Sequence, residues 1–172
     1  MMKILKVIVV GIVGIFLLMT VAELVLSNSE ENSVVKWNTN YTDQNSIPEN
    51  TKLCVQEMKK LDDIKLARGE KANPAEVIKN PKTYMGKVIE FPAIVQESEP
   101  FPQNSNAAKA FGGDGHIVVA KAEDGTMSME FRKGAIQEME SGAGAFTVIR
   151  GMVAGVMDLP NGKALVIVGN PK

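Results

Sequence analysis

Alternation of apolar and polar residues dominates the second half of the chain. In KVIEFPAIV, residues 87–95, the positions Ile89, Phe91, Ala93 and Val95 alternate with Val88, Glu90, Pro92 and Ile94. That is the two-residue period of a strand, and Pro92 predicts a bulge or an unpaired edge position within it. A second strand is predicted from His116 to Lys121, turning through Glu123-Asp124-Gly125, an Asp-Gly hairpin signal. The third runs from Thr126 to Arg132. Met127, Met129 and Phe131 share one of its faces, and Thr126, Ser128, Glu130 and Arg132 share the other, so one face is expected to be core and the other wet. A short helix around Ala135 to Glu140 precedes Gly142, Gly144 and a fourth strand in AFTVIRGMVAGVM, residues 145–157. Asn161-Gly162 marks another tight turn, and Lys163 to Val168 reads as the fifth strand.

Helical spacing appears upstream. From Thr51 to Lys71 the residues Leu53, Cys54, Met58, Leu61, Ile64 and Leu66 recur near one helical face, predicting an amphipathic helix that ends near Gly69. Adjacent Asp62 and Asp63 point about 100° apart on a helix and do not face each other as an acid and base; a solvated face is expected. Asn73 and Pro74 supply an N-cap and a first helical residue for a short helix to Lys79, which Asn80-Pro81 stops. Residues 96–114 read as a long loop and residues 27–50 as a disordered linker. The linker holds six Asn and four Ser with little periodic apolar content, a composition that does not offset the entropy of ordering. Trp37 and Tyr41 stand within it, and Asn40-Tyr41-Thr42 is a glycosylation sequon that matters only in a eukaryotic secretory host.

The beginning of the chain changes the picture. Lys3 and Lys6 precede an uncharged run from Val7 to Ala22, extended past Glu23 by Leu24 to Leu26. Val7 to Leu26 matches the roughly 20 residues that cross a bilayer as a helix. Residues 1–26 are therefore expected to form a transmembrane anchor, single-pass, with the N-terminus cytoplasmic and the remainder extracytoplasmic, since the lysines lie ahead of the run and Glu30 and Glu31 after it. A signal segment cleaved near Ala22 or Ser27 is the rival, and would leave a secreted protein. Gly11 and Gly14 lie three apart and do not make a GxxxG dimerisation face.

Composition removes whole classes of chemistry. One Cys excludes an internal disulfide framework and one His excludes a multi-His metal site. Lys and Arg number 19 against 20 Asp and Glu, and residues 73–172 carry 10 against 11, so there is no basic field to gather a nucleic acid. Aromatics at 5% supply few stacking platforms. His116 with Asp114 offers too few ligands for a closed metal site. FGGDGH, residues 111–116, lacks the Lys-Ser or Lys-Thr of a phosphate-binding loop. Ser141 lacks the Gly-x-Ser-x-Gly frame of a nucleophile elbow, because Met139 occupies the first glycine position. Cys54 reads as a solitary, partly buried thiol, with an intermolecular disulfide as the alternative. No catalytic residue, cofactor or metal is expected.

The predicted order, three strands, a helix and two strands after an amphipathic helix, describes a mainly β protein with a five-stranded OB-fold Greek-key barrel at residues 72–172. NPKTYMGKVIEFPAIV resembles the opening of the tRNA-anticodon-binding-like OB-fold family, in which a pair such as Tyr84 and Gly86 precedes the first strand. AFTVIRGMVAGV is similar to that family's fourth strand, with Gly151 followed by further β residues. Pro92-Ala93 departs from the glycine that many relatives carry there. The anchor, the tether, the small barrel and the missing catalytic constellation together point to a membrane-tethered, non-enzymatic binding module for a protein, peptide or envelope component; the resemblance implies a nucleic-acid-binding module as the alternative. The contact surface is expected on the 96–114 loop and the wet face of the second and third strands, at His116, Lys121, Ser128, Glu130, Arg132, Phe101 and Phe111.

Overall fold

The computed structural model describes residues 35–40, 46–134 and 144–171. The expected membrane segment, most of the linker including Tyr41, the helix at 135–140 and Ser141 lie outside them. Among the described residues no helix is long and apolar enough to cross a membrane. Trp37–Lys172 forms one compact unit.

In chain order the elements are α1 (Ser46–Lys60), α2 (Asp63–Leu66), β1 (Glu70–Lys71), α3 (Pro74–Lys79), α4 (Pro81–Tyr84), β2 (Val88–Pro100), α5 (Asn106–Phe111), β3 (His116–Ala122), β4 (Met127–Arg132), β5 (Phe146–Leu159) and β6 (Gly162–Val168). The fold is mainly β. The order β2-β3-β4-β6-β5, with β5 returning to pair with β2, closes a five-stranded barrel, and β1 adds a short parallel pairing on β2. Within the barrel only β4 and β6 run parallel.

The barrel interior is filled by Ile89, Phe91, Ala93 and Val95 from β2, Val118 and Ala120 from β3, Ile149 and Val153 from β5, and Leu165 and Ile167 from β6. Closure is what makes both flanks of β2 useful. Its first half pairs with β5 and its second half with β3, so one long strand serves two ladders. Pro92 falls between Glu90, the last residue paired with β1, and Ala93, the first paired with β3. A residue with no N–H to donate is tolerated in such a gap. The bulge lies further on, between Val95 and Glu97.

That bulge corrects the expected loop. It resets the alternation, and Glu97–Pro100 stay paired with Val119–His116, so β2 continues where the polar composition of QESEP reads as loop. Residues 106–111 then form α5, capped by the Ser105 hydroxyl, which accepts from Ala108 N at 3.1 Å, and ended by Gly112 in the left-handed conformation at φ 76°.

The leading helix also differs from expectation. α1 starts at Ser46, earlier than Thr51, because Pro48 occupies the first turn, where a missing N–H costs nothing. It ends at Lys60, and Asp62 starts α2 by accepting from Lys65 N at 2.7 Å. The break shifts the helical phase, so Ile64, expected on the apolar face, is exposed while Leu66 is buried. Part of the predicted linker is ordered as well. Asn50 is buried and mimics a backbone pair with Asn38, accepting from Asn38 N at 2.9 Å and donating to Asn38 O at 2.8 Å. Trp37 packs against the barrel core and rests on Gly86, whose φ of +73° and missing Cβ leave room for the indole.

Candidate binding surface

The residues expected to bind divide into three places. Phe101 and Phe111 are buried, stacked obliquely on each other with centroids 5.3 Å apart, and Phe101 continues to Phe131 at 6.2 Å. They pin α5 to the barrel and offer nothing to a partner. The reason is the outer face of β4: Met129 and Phe131 are apolar, and elements outside the barrel cover them.

The expected wet face is the second correction. Ser128 and Glu130 are 1% and 3% exposed, because their side of β4 is the barrel interior, where Val118 stands beside Glu130. Alternation is thus produced by a strand covered on both sides. Ser128 satisfies its hydroxyl on Ala120 O at 3.3 Å. Glu130 is less well served. Its Oε2 stands 3.7 Å from Arg132 Nη1, and neither Oε2 nor Arg132 Nε has a hydrogen-bond partner among the described residues. The contact is an ion pair without a hydrogen bond. Desolvation pushes the Glu130 carboxyl up to about 7, against a smaller downward pull from Arg132.

His116 and Arg132 are direct cross-strand neighbours at the same end of the barrel. The structure therefore brings His116, Glu130 and Arg132 together, and adds Ser98, whose Oγ is 3.4 Å from His116 Nδ1. Asp114, the partner suggested by sequence, is exposed on the loop before β3. Ser98 sat in a presumed loop, so only the bulge in β2 reveals it. The His–Ser contact is longer than a well-formed hydrogen bond. Among the described residues no three His, Cys, Asp or Glu side chains converge as a metal site. Cys54 is fully buried, with Sγ donating to Val153 O at 3.6 Å, and burial pushes its thiol far up. A thiol so placed does not meet a second chain.

Lys121 is exposed on the outer side of β3 and leads to the third place. On β2 its register partner is Ile94, and the β5 partner of Ile94 is Phe146. One step along, Pro92 faces Val148; a further step, Glu90 faces Arg150. Phe146, Val148 and Ile94 are 60%, 49% and 45% exposed, and Pro92 is exposed too. Four apolar side chains thus stand together in water on the outer face of β2 and β5, which is unlike the scattered single apolar residues of an ordinary surface. The Glu90–Arg150 pair closes one end of this stripe, with Nε to Oε2 at 2.8 Å. The Arg150 hydrogen bond is the chief cause that holds the Glu90 carboxyl below its ordinary range.

Beside Val148 the stripe enters a groove of about 450 Å³. Its floor and walls include Ala72, Pro74, Phe91, Pro92, Ala122 and Val148. Lys71, Glu90, Glu123 and Asp124 supply the charged lining. Asp124 fixes the wall: its Oδ1 accepts from Thr126 N at 2.8 Å, and its Oδ2 accepts from Ala75 N at 3.2 Å, tying the β3–β4 turn to the first turn of α3. Desolvation pushes its carboxyl up, but hydrogen bonds from Thr126 and the Ala75 N–H outweigh that and hold it below its ordinary value. Sequence alternation contained the signal for this face in Pro92 and Ile94, apolar residues at outward positions of β2, and β5 supplied the other half.

Comparison with protein-family models, curated proteins and solved structures finds no match to the chain.

Proposed function

We propose that the protein is a non-enzymatic OB-fold binding module, tethered by its N-terminal apolar segment outside the cytoplasm, that docks a protein, a peptide or an envelope component. The strand order and the one parallel pairing within the five-stranded barrel, β4 with β6, support the OB-type reading of the barrel. The run from Val7 to Leu26 supports the tether. The observation that carries the function is the exposed stripe Pro92, Ile94, Phe146 and Val148 running into the groove, since a contiguous uncovered apolar face of this kind marks a docking surface. A nucleic acid fits it less well, because the groove is lined by Glu90, Glu123 and Asp124 against Lys71, the wrong balance for phosphates.

A photo-crosslinking side chain placed at Val148 of the full-length protein in native membranes tests the reading. A discrete adduct is expected from position 148, absent when the same group replaces exposed Lys109 and lost when Phe146→Asp is added. Equal adducts from positions 148 and 109, or none from 148, would overturn it.

A further inference from the structure

Resting on that reading, we infer that the groove and stripe accept an extended peptide segment with Lys or Arg at one end and apolar side chains at alternate positions beyond it. Two features of the surface, its charge and its shape, lead to this occupant.

Charge comes first. Among the side chains that line the groove, Glu90, Glu123 and Asp124 oppose Lys71. Glu90 is already matched by Arg150 at 2.8 Å, which leaves Glu123 and Asp124 against Lys71 alone, an excess of one carboxylate for a visitor. Asp124 holds its position through two backbone donors, Thr126 N and Ala75 N, and Glu123 is exposed beside it. A preorganised negative end of this sort attracts a cation and repels an anion. The walls below are apolar and suit the methylene stem of a Lys or Arg, which packs along apolar surface while its charged head stays in water.

Shape gives the remainder. From the groove the exposed apolar face leads along β2 from Pro92 to Ile94 and along β5 from Val148 to Phe146. Each step is two residues of strand, about 7 Å. A segment in extended conformation places alternate side chains at the same spacing on one face, so it meets the two apolar rows in turn. The occupant is therefore cationic at the Glu123–Asp124 end, apolar at alternate positions, and extended.

The test uses full-length protein in nanodiscs of uncharged phosphatidylcholine, with empty nanodiscs as blank. Fluorescein-labelled Lys-Lys-Leu-Ser-Leu-Ser and Glu-Glu-Leu-Ser-Leu-Ser peptides are titrated by anisotropy. The basic peptide is expected to bind more tightly, with affinity falling roughly fivefold in Glu123→Lys, the scale of an exposed charge pair, and lost in Val148→Asp. Equal binding of both peptides, abolished by Val148→Asp, overturns the charge assignment and leaves the docking face standing. Binding of the basic peptide that survives Val148→Asp overturns the site. If neither peptide binds while the crosslink at position 148 still forms, the extended basic peptide is overturned and the broader reading stands; if both fail, the two fall together.

Discussion

At the scale of single residues, Glu130 is the most consequential departure from an apolar interior. A carboxylate 3% exposed, facing an arginine at 3.7 Å without a hydrogen bond, holds its proton more tightly folded than unfolded. Its folded value is raised from 4.5 to about 7, so the native state binds the extra proton between those limits and unfolding releases it. Stability from this group is complete below about pH 4.5 and is lost as pH rises through about 7, a change on the order of 3 kcal/mol. Glu90 and Asp124, held below their ordinary values, act in the opposite sense, losing their contribution only in more acid solution. Urea unfolding at pH 5 and pH 8 is expected to show the loss in the parent chain and not in Glu130→Gln. An equal loss in both would assign the pH dependence to other groups. Gly169 guards the same spot, because a Cβ there would collide with Glu130 Oε1.

At the scale of elements, the informative case is α5. Its start and stop were written in the chain as Ser105 and Gly112, yet the segment reads as loop because the helix has only six residues, Asn106–Phe111, too few for apolar periodicity to show. What keeps it helical is tertiary: Phe111 and Ala107 are buried, and α1 packs alongside. Isolated helices this short do not persist in water. Phe111→Ala is therefore expected to cost about 3–5 kcal/mol as a core truncation, and Ser105→Ala only about 1 kcal/mol as the loss of a cap, both measured by denaturant unfolding. If the two cost the same, local capping rather than the aromatic anchor holds the segment. β4 carries the complementary lesson. Its strict alternation was legible, but not that both its faces are covered, because the side turned into the barrel carries the polar Ser128 and Glu130.

At the scale of the whole molecule, the barrel unit reaches back to Trp37, and the strand of chain around it is held by the Asn38–Asn50 exchange. Trp37→Ala is expected to lower the unfolding free energy of the full chain by about 2 kcal/mol, the loss of a partly buried aromatic, with α1 and the barrel still unfolding together. No change would mean that the indole rests on Gly86 without contributing to the fold. The five barrel strands, the Asp124-Gly125 and Asn161-Gly162 turns and the Asn73-Pro74 helix start are legible in the sequence alone, since they depend on backbone preferences and a two-residue period that neighbouring residues carry by themselves. Which side of each strand is inside, how far β2 runs past its bulge, and that Pro92, Ile94, Phe146 and Val148 form one surface depend on pairing between residues far apart in the chain, Glu97 with Val119 and Ile94 with Phe146 among them. Local sequence cannot encode such neighbours; closing the barrel creates them.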